Sequence, residues 1–100
     1  MSVIAEIALY PVGTGDASIS QVLADSIKVL QNHHLKYEVT STATNVEGDL
    51  DEILSAVREM DDIPFQEGAH RVILMLRVDD RRDKAVSMEY EESSVTEKLT

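Results

Sequence analysis

The chain opens on an alternation. In SVIAEIALYP, Val3, Ala5, Ile7 and Leu9 fall on one side, and Ile4, Glu6, Ala8 and Tyr10 on the other. That is the period of a strand with one strongly apolar face and one mixed face. Pro11 is expected to end it. From Ser18 to His33 the pattern changes: Ile19, Val22, Leu23, Ile27 and Leu30 recur at helical spacing. Ser18 with Gln21 three residues on reads as a capping box, and Asn32-His33-His34 as the helix exit.

Alternation returns at Leu35, Tyr37 and Val39, then continues through Ala43, Thr44 and Val46. The Ser/Thr-rich middle leaves two readings, a pair of short antiparallel strands or one long bent strand, with Ser41-Thr42 at the bend. Gly48 is expected to break the pattern. A second helix is predicted from Asp49 to Met60, with Asp49 as cap, Glu52 closing the box, and Leu50, Ile53, Leu54, Val57 and Met60 as its stripe. DDIPFQEGAH reads as a loop, with Ile63 and Phe65 turned onto the body. RVILMLRVDD reads as the last strand, with Val72, Leu74, Leu76 and Val78 on one face and Ile73 and Met75 on the other. Ser94 with Glu97 suggests a third capping box and a short terminal helix.

The order strand, helix, strand, strand, helix, strand predicts an α+β fold, a ferredoxin-like βαββαβ sandwich. Two helices cover one face of a four-stranded antiparallel sheet, with the last strand at its edge and a short C-terminal helix after it. The second sheet face carries Ile4, Ala8, Ile73 and Met75, where a bare face should be polar. A second copy of the chain is the expected cover.

Composition narrows the classes. At 100 residues and 43% hydrophobic, one domain spanning 1–100 can bury its own core. The chain has no cysteine, which excludes disulfides, thiolate nucleophiles and thiolate-bound metals. A net charge of −10 repels nucleic acid and anionic membranes. No apolar run reaches the roughly 18 residues of a membrane span. The start has no basic region ahead of its apolar run, so it does not read as a secretory signal. A cytoplasmic protein with neither nucleic-acid nor membrane partners is the expectation.

PVGTGDASIS is the stretch nearest to a phosphate loop. It lacks the lysine of a Walker motif and the third glycine of a dinucleotide fingerprint. Asp16 would also repel a phosphate. The stretch is a turn and helix cap, or a loop offering hydroxyls and one carboxylate to a polar or cationic ligand. His33 and His34 are adjacent and cannot chelate one ion as a pair. His70 stands apart, so no metal site is expected. No serine or threonine has an evident histidine partner for nucleophilic catalysis. VDDRRDK packs both signs of charge together, either as a solvated turn or as an intersubunit clamp through Arg81 and Arg82.

Three motifs in order, YPVGTGDASIS (10–20), TNVEGD (44–49) and RVDDRRDK (77–84), resemble the signatures of the small thiamine-binding protein family, related to the YkoF-like proteins. SSVTEKL is similar to that family's terminal helix. By position the motifs fall on Gly13, Thr14, Asp16 and Ser18, on Thr44, Glu47 and Gly48, and on Asp80, Arg82 and Asp83. TSTAT (40–44) departs from the Pro-Met-Gly-like bend of many relatives but keeps Thr44. The resemblance implies a ferredoxin-like fold, homodimers or homotetramers whose sheets meet, and binding of thiamine or its hydroxymethylpyrimidine part, without demonstrated catalysis for most members; no cofactor is expected. The expected ligand residues are Thr14, Asp16, Ser18, Tyr37, Thr44 and Glu47. The expected interface residues are Ile4, Ala8, Ile73, Met75, Arg81 and Arg82. The alternative is a regulatory protein sensing another metabolite at a subunit interface; an enzyme is the third reading.

Overall fold

The computed structural model describes residues 2–12, 19–84 and 87–99. Its elements are β1 (Ser2–Val12), α1 (Ile19–Asn32), β2 (Lys36–Val39), β3 (Thr44–Asp49), α2 (Leu50–Gln66), β4 (Arg71–Asp79) and α3 (Met88–Leu99). The four strands form one antiparallel sheet in the order β2-β3-β1-β4. This is the expected ferredoxin-like arrangement, with β4 at one edge. Of the two readings of 35–46, the paired short strands are the correct one. No described helix is long and apolar enough to cross a membrane.

Alternation decides which side of the sheet is dry. Val3, Ala5, Ile7 and Val46 are buried in one cluster with Leu30 of α1 and with Ile53, Ala56, Val57 and Met60 of α2. Fully burying each such aliphatic side chain contributes about 1.5–3 kcal/mol. In α1 the innermost line is Val22, Ser26 and Leu30. Ser26 is tolerated there because its hydroxyl donates to the Val22 carbonyl at 2.8 Å.

Both main helices stop in the same way. At the end of α1, His34 N–H donates to Gln31 O (3.0 Å) and Leu35 N–H to Leu30 O (3.1 Å), with His34 at φ 57°. At the end of α2, Gly68 N–H donates to Phe65 O (3.2 Å) and Ala69 N–H to Pro64 O (2.9 Å), with Gly68 at φ 102°. These are Schellman closures, each needing one residue in the left-handed region.

Several boundaries differ from the sequence reading. β1 does not end at Pro11 but runs on to Val12, paired to Arg71 of β4. β3 pairs β1 only as far as Ile7, so at Pro11 no β3 neighbour asks for its missing N–H. Gly48 does not break β3; it lies in the ladder opposite Val3. A Cβ there would stand 2.5 Å from Leu35 Cδ2, so glycine is needed for close packing rather than for a turn. α2 does not stop at Met60. It continues to Gln66 through Pro64, because a proline in the last turn forfeits a single helical bond and buries its ring. Ile63 is buried as expected, but Phe65 is 44% exposed.

α3 begins at Met88 rather than near Ser94, with Ser87 Oγ accepting from Tyr90 N–H at 3.1 Å. It does not join α1 and α2. Met88 N–H donates to Glu47 Oε1 at 3.2 Å, and Lys36 pairs with both Glu47 and Glu89. Glu47 faces away from the helical side, so α3 sits on the second sheet face and supplies part of its cover. The other part, around Ile73 (44% exposed) and Met75 (58% exposed), stays open.

Candidate functional site

The candidate site is made by a mismatch of strand lengths. β1 and β4 pair out to Val12, while the β2–β3 hairpin turns back at Ser41 and Thr42. The notch is a cavity of about 230 Å³. Its floor is Ile7 and Leu9 of β1 with Met60 of α2; α1 contributes Val22, Leu23 and Ser26; the hairpin contributes Thr40 to Thr44; Tyr10 stands at the rim. The lining is apolar within and hydroxyl-bearing at the hairpin.

The hairpin is held by its own side chain. Thr40 N–H donates to Ala43 O at 2.9 Å, Thr40 Oγ1 donates to the same carbonyl at 2.9 Å, and Ala43 N–H donates to Thr40 Oγ1 at 3.2 Å. This explains how TSTAT turns without a proline or glycine: a threonine hydroxyl holds the bend. None of the described lining residues is an acid, a lysine, an arginine or a histidine.

The charged groups lie behind the cavity, on the α1–α2 seam. His33 Nδ1 is 2.6 Å from Glu52 Oε1, and its Nε2 is 2.9 Å from Glu59 Oε2. The Glu59 and Glu52 carboxylates raise the imidazole above its ordinary 6.5. In its protonated form the ring donates one N–H to each carboxylate. Glu52 was expected to close the cap box of α2. Its N–H does donate to Asp49 Oδ2 at 3.2 Å, but its carboxylate goes to His33. Further along the seam Asp25 and Glu67 face each other, the first lowered and the second raised by their mutual hydrogen bond.

The structure divides the predicted ligand residues. Thr44 is buried and lines the cavity. Tyr37 shares its sheet face but is turned to α1, where its hydroxyl accepts from Gln31 Nε2 at 2.9 Å. Glu47 lies on the opposite face, tied to Met88 N–H and Lys36. Thr14, Asp16 and Ser18 lie outside the described residues, as does the Ser18 half of the first capping box. The cavity members that sequence reasoning missed include Leu9, Ser26, Thr40, Ser41, Thr42 and Met60. The Ser/Thr run at 40–44 was a visible signal, read only as a bend.

Of the expected interface residues, Ile73 and Met75 are exposed together on the second face, with Ala8 paired to Met75 between β1 and β4. Ile4 lines a larger open trough of about 580 Å³ beneath α3, beside Glu6, Asn45 and Arg77. Arg81 and Arg82 satisfy themselves within their own turn. Arg81 Nε and Nη2 bind Asp83 at 2.6 and 3.0 Å, and Arg82 Nη2 binds Asp80 at 3.0 Å. This third motif sits by Val3, Asp49 and Asp51, at the end of the sheet remote from the cavity.

The fold and site define a ferredoxin-like α+β domain with a hydroxyl-rimmed cavity at one end of its sheet. Residues 5–96 match the family described as thiamine-binding protein, and the chain belongs to that family. It is 36% identical over 100 residues to the UPF0045 protein YqgV of Bacillus subtilis, covering 96% of each chain. A hypothetical protein of Methanocaldococcus jannaschii has a crystal structure similar to this one, with a TM-score of 0.86, 35% identity, and coverage of 96% of this chain and 97% of that one. A proposed thiamine biosynthesis or salvage protein of Thermotoga maritima superposes with a TM-score of 0.78 at 27% identity, covering 95% and 99%.

Proposed function

We propose that the cavity binds thiamine through its aminopyrimidine half, or free hydroxymethylpyrimidine, without chemical change. The observation that carries this reading is where the family motifs fall. Tyr10 and Thr44, members of the first two, stand on either side of one apolar, hydroxyl-rimmed notch. Its size supports a single-ring ligand, since cavities for drug-sized molecules run from about 300 Å³ upward. Apart from the Tyr10 phenol at the rim, the described lining residues offer no general acid or base, which favours binding over catalysis. A thiazolium would extend outward, where an acidic chain of net charge −10 favours a cation over a phosphate ester.

Isothermal titration against thiamine and hydroxymethylpyrimidine is the direct test. Saturable heat is expected, with affinity at least tenfold weaker in Thr44→Val, equivalent to about 1.4 kcal/mol. The recovered ligand should have unchanged mass after prolonged incubation. No heat from either compound at millimolar concentration overturns the reading. Self-association is part of the proposal. Ile73 and Met75 form an exposed apolar patch beside the region α3 covers, and a second copy is the cover proposed for it.

A further inference from the structure

The cavity contains a length of strand edge with no strand beside it, and the ladder registers show which backbone groups it offers. In the β2–β3 hairpin, Thr40 N–H bonds Ala43 O. Hydrogen-bonded pairs alternate along an antiparallel ladder, so the bonded pairs are Thr40–Ala43, Glu38–Asn45 and Lys36–Glu47. Thr44, Val46 and Gly48 therefore turn their backbone groups the other way, toward Ile7, Ala5 and Val3 of β1. The next odd position of β1 is Leu9. Continuing the register would place Thr42 opposite it, but the chain has already turned at Ser41–Thr42.

Pro11 leads to the same result independently. β1 stays paired to β4 through Pro11–Val72 and Val12–Arg71. A residue with no N–H cannot sit in a hydrogen-bonded pair, so the bonds to β4 fall on Ala8, Tyr10 and Val12. The N–H and C=O of Leu9 then point away from β4, into the notch. Among the described residues no backbone partner on that side is found for Leu9.

We infer that this free edge at Leu9 is the recognition element of the cavity, reading its ligand as a missing β3 residue would be read. One N–H and one C=O side by side select a planar heterocycle with an acceptor nitrogen next to a donor amino group. The 4-aminopyrimidine edge has that pattern. A dialkylamino ring, which has no donor, lacks it. The inference rests on the ligand class proposed above but assigns specificity to main chain rather than to Thr44 or any carboxylate.

Amide hydrogen exchange by NMR tests it on the intact protein. Without ligand, the Leu9 amide should exchange at least tenfold faster than those of Ala8 and Tyr10. Protection at Leu9 equal to theirs, or protection that grows with protein concentration as a second copy pairs the edge, overturns the inference. On saturation with 4-amino-5-hydroxymethyl-2-methylpyrimidine, Leu9 exchange should slow at least tenfold. The 4-dimethylamino analogue should bind at least tenfold more weakly by titration. If the aminopyrimidine binds but Leu9 is unchanged, or both compounds bind alike, the edge is not the reader while the proposed ligand class stands. If the aminopyrimidine does not bind at all, both fall together.

Discussion

Replacing Gly48 by alanine tests the packing at the sheet's centre. A Cβ at this position would lie 2.5 Å from Leu35 Cδ2, whereas carbon atoms rest comfortably at about 3.5–4.0 Å. The leucine end must retreat by about 1 Å, and it is buried against the core. Overpacking of this kind costs about 1–3 kcal/mol. Alanine returns about 0.5–1 kcal/mol by restricting the unfolded chain. The expected net loss lies between about 0 and 2.5 kcal/mol, at about 4–8 °C of Tm per kcal/mol for a domain of this size. Leu35→Ala alone should cost about 2–5 kcal/mol. In that background the obstruction is gone, so Gly48→Ala should now stabilise by about 0.5–1 kcal/mol. The coupling energy is then the overpacking cost itself, about 1–3 kcal/mol, in the range found for residues in contact. Urea unfolding of the four proteins, with m-values compared, measures the cycle. A coupling energy near zero would refute the close-contact argument.

Three further outcomes are expected. His33 binds its proton more tightly folded than unfolded, because Glu59 and Glu52 hold the imidazolium. Its contribution should be complete below pH 6.5 and lost as pH rises through the raised folded value, so the urea midpoints of parent and His33→Gln should converge between pH 6 and 9; a gap independent of pH refutes this. His34→Gly should raise stability by about 1 kcal/mol in thermal unfolding, since a side chain at φ 57° carries a left-handed penalty that glycine lacks; a loss of stability would show that the His34 side chain has a role of its own. Met75→Lys should lower the assembled mass seen by light scattering while leaving helical circular dichroism intact; an unchanged mass removes Met75 from the proposed interface.

The parts of this molecule that obey a period were legible, and those set by a contact were not. The alternation of β1 named the residues that line its core face. The 3.6-residue pattern located both main helices. The end of α2 was missed because Pro64 reads as a stop, while the real stop, Gly68, works through bonds to Pro64 and Phe65. The place of α3 depends on Glu47 and Lys36 reaching Met88 and Glu89 across 41 and 53 residues of chain, which no local pattern encodes. At the site, Thr44 was legible from its motif. Glu47, three residues on, falls on the opposite face by simple alternation, so the two could not share a pocket within one chain.

Strand alternation leaves one error unguarded. A β3 displaced by one residue would bury its polar face and be rejected, but a displacement by two keeps the same side chains inward and satisfies every pattern. The Gly48–Leu35 contact penalises it. Leu35 is fixed to the end of α1 by its N–H bond to Leu30, and only a residue without a side chain passes beneath it. Sliding β3 two places would bring Val46 or Leu50 to that point, each with a Cβ and more beyond. The glycine thus works as a keyway: the helix end carries the key, and it favours one alignment of the sheet over those displaced by two residues.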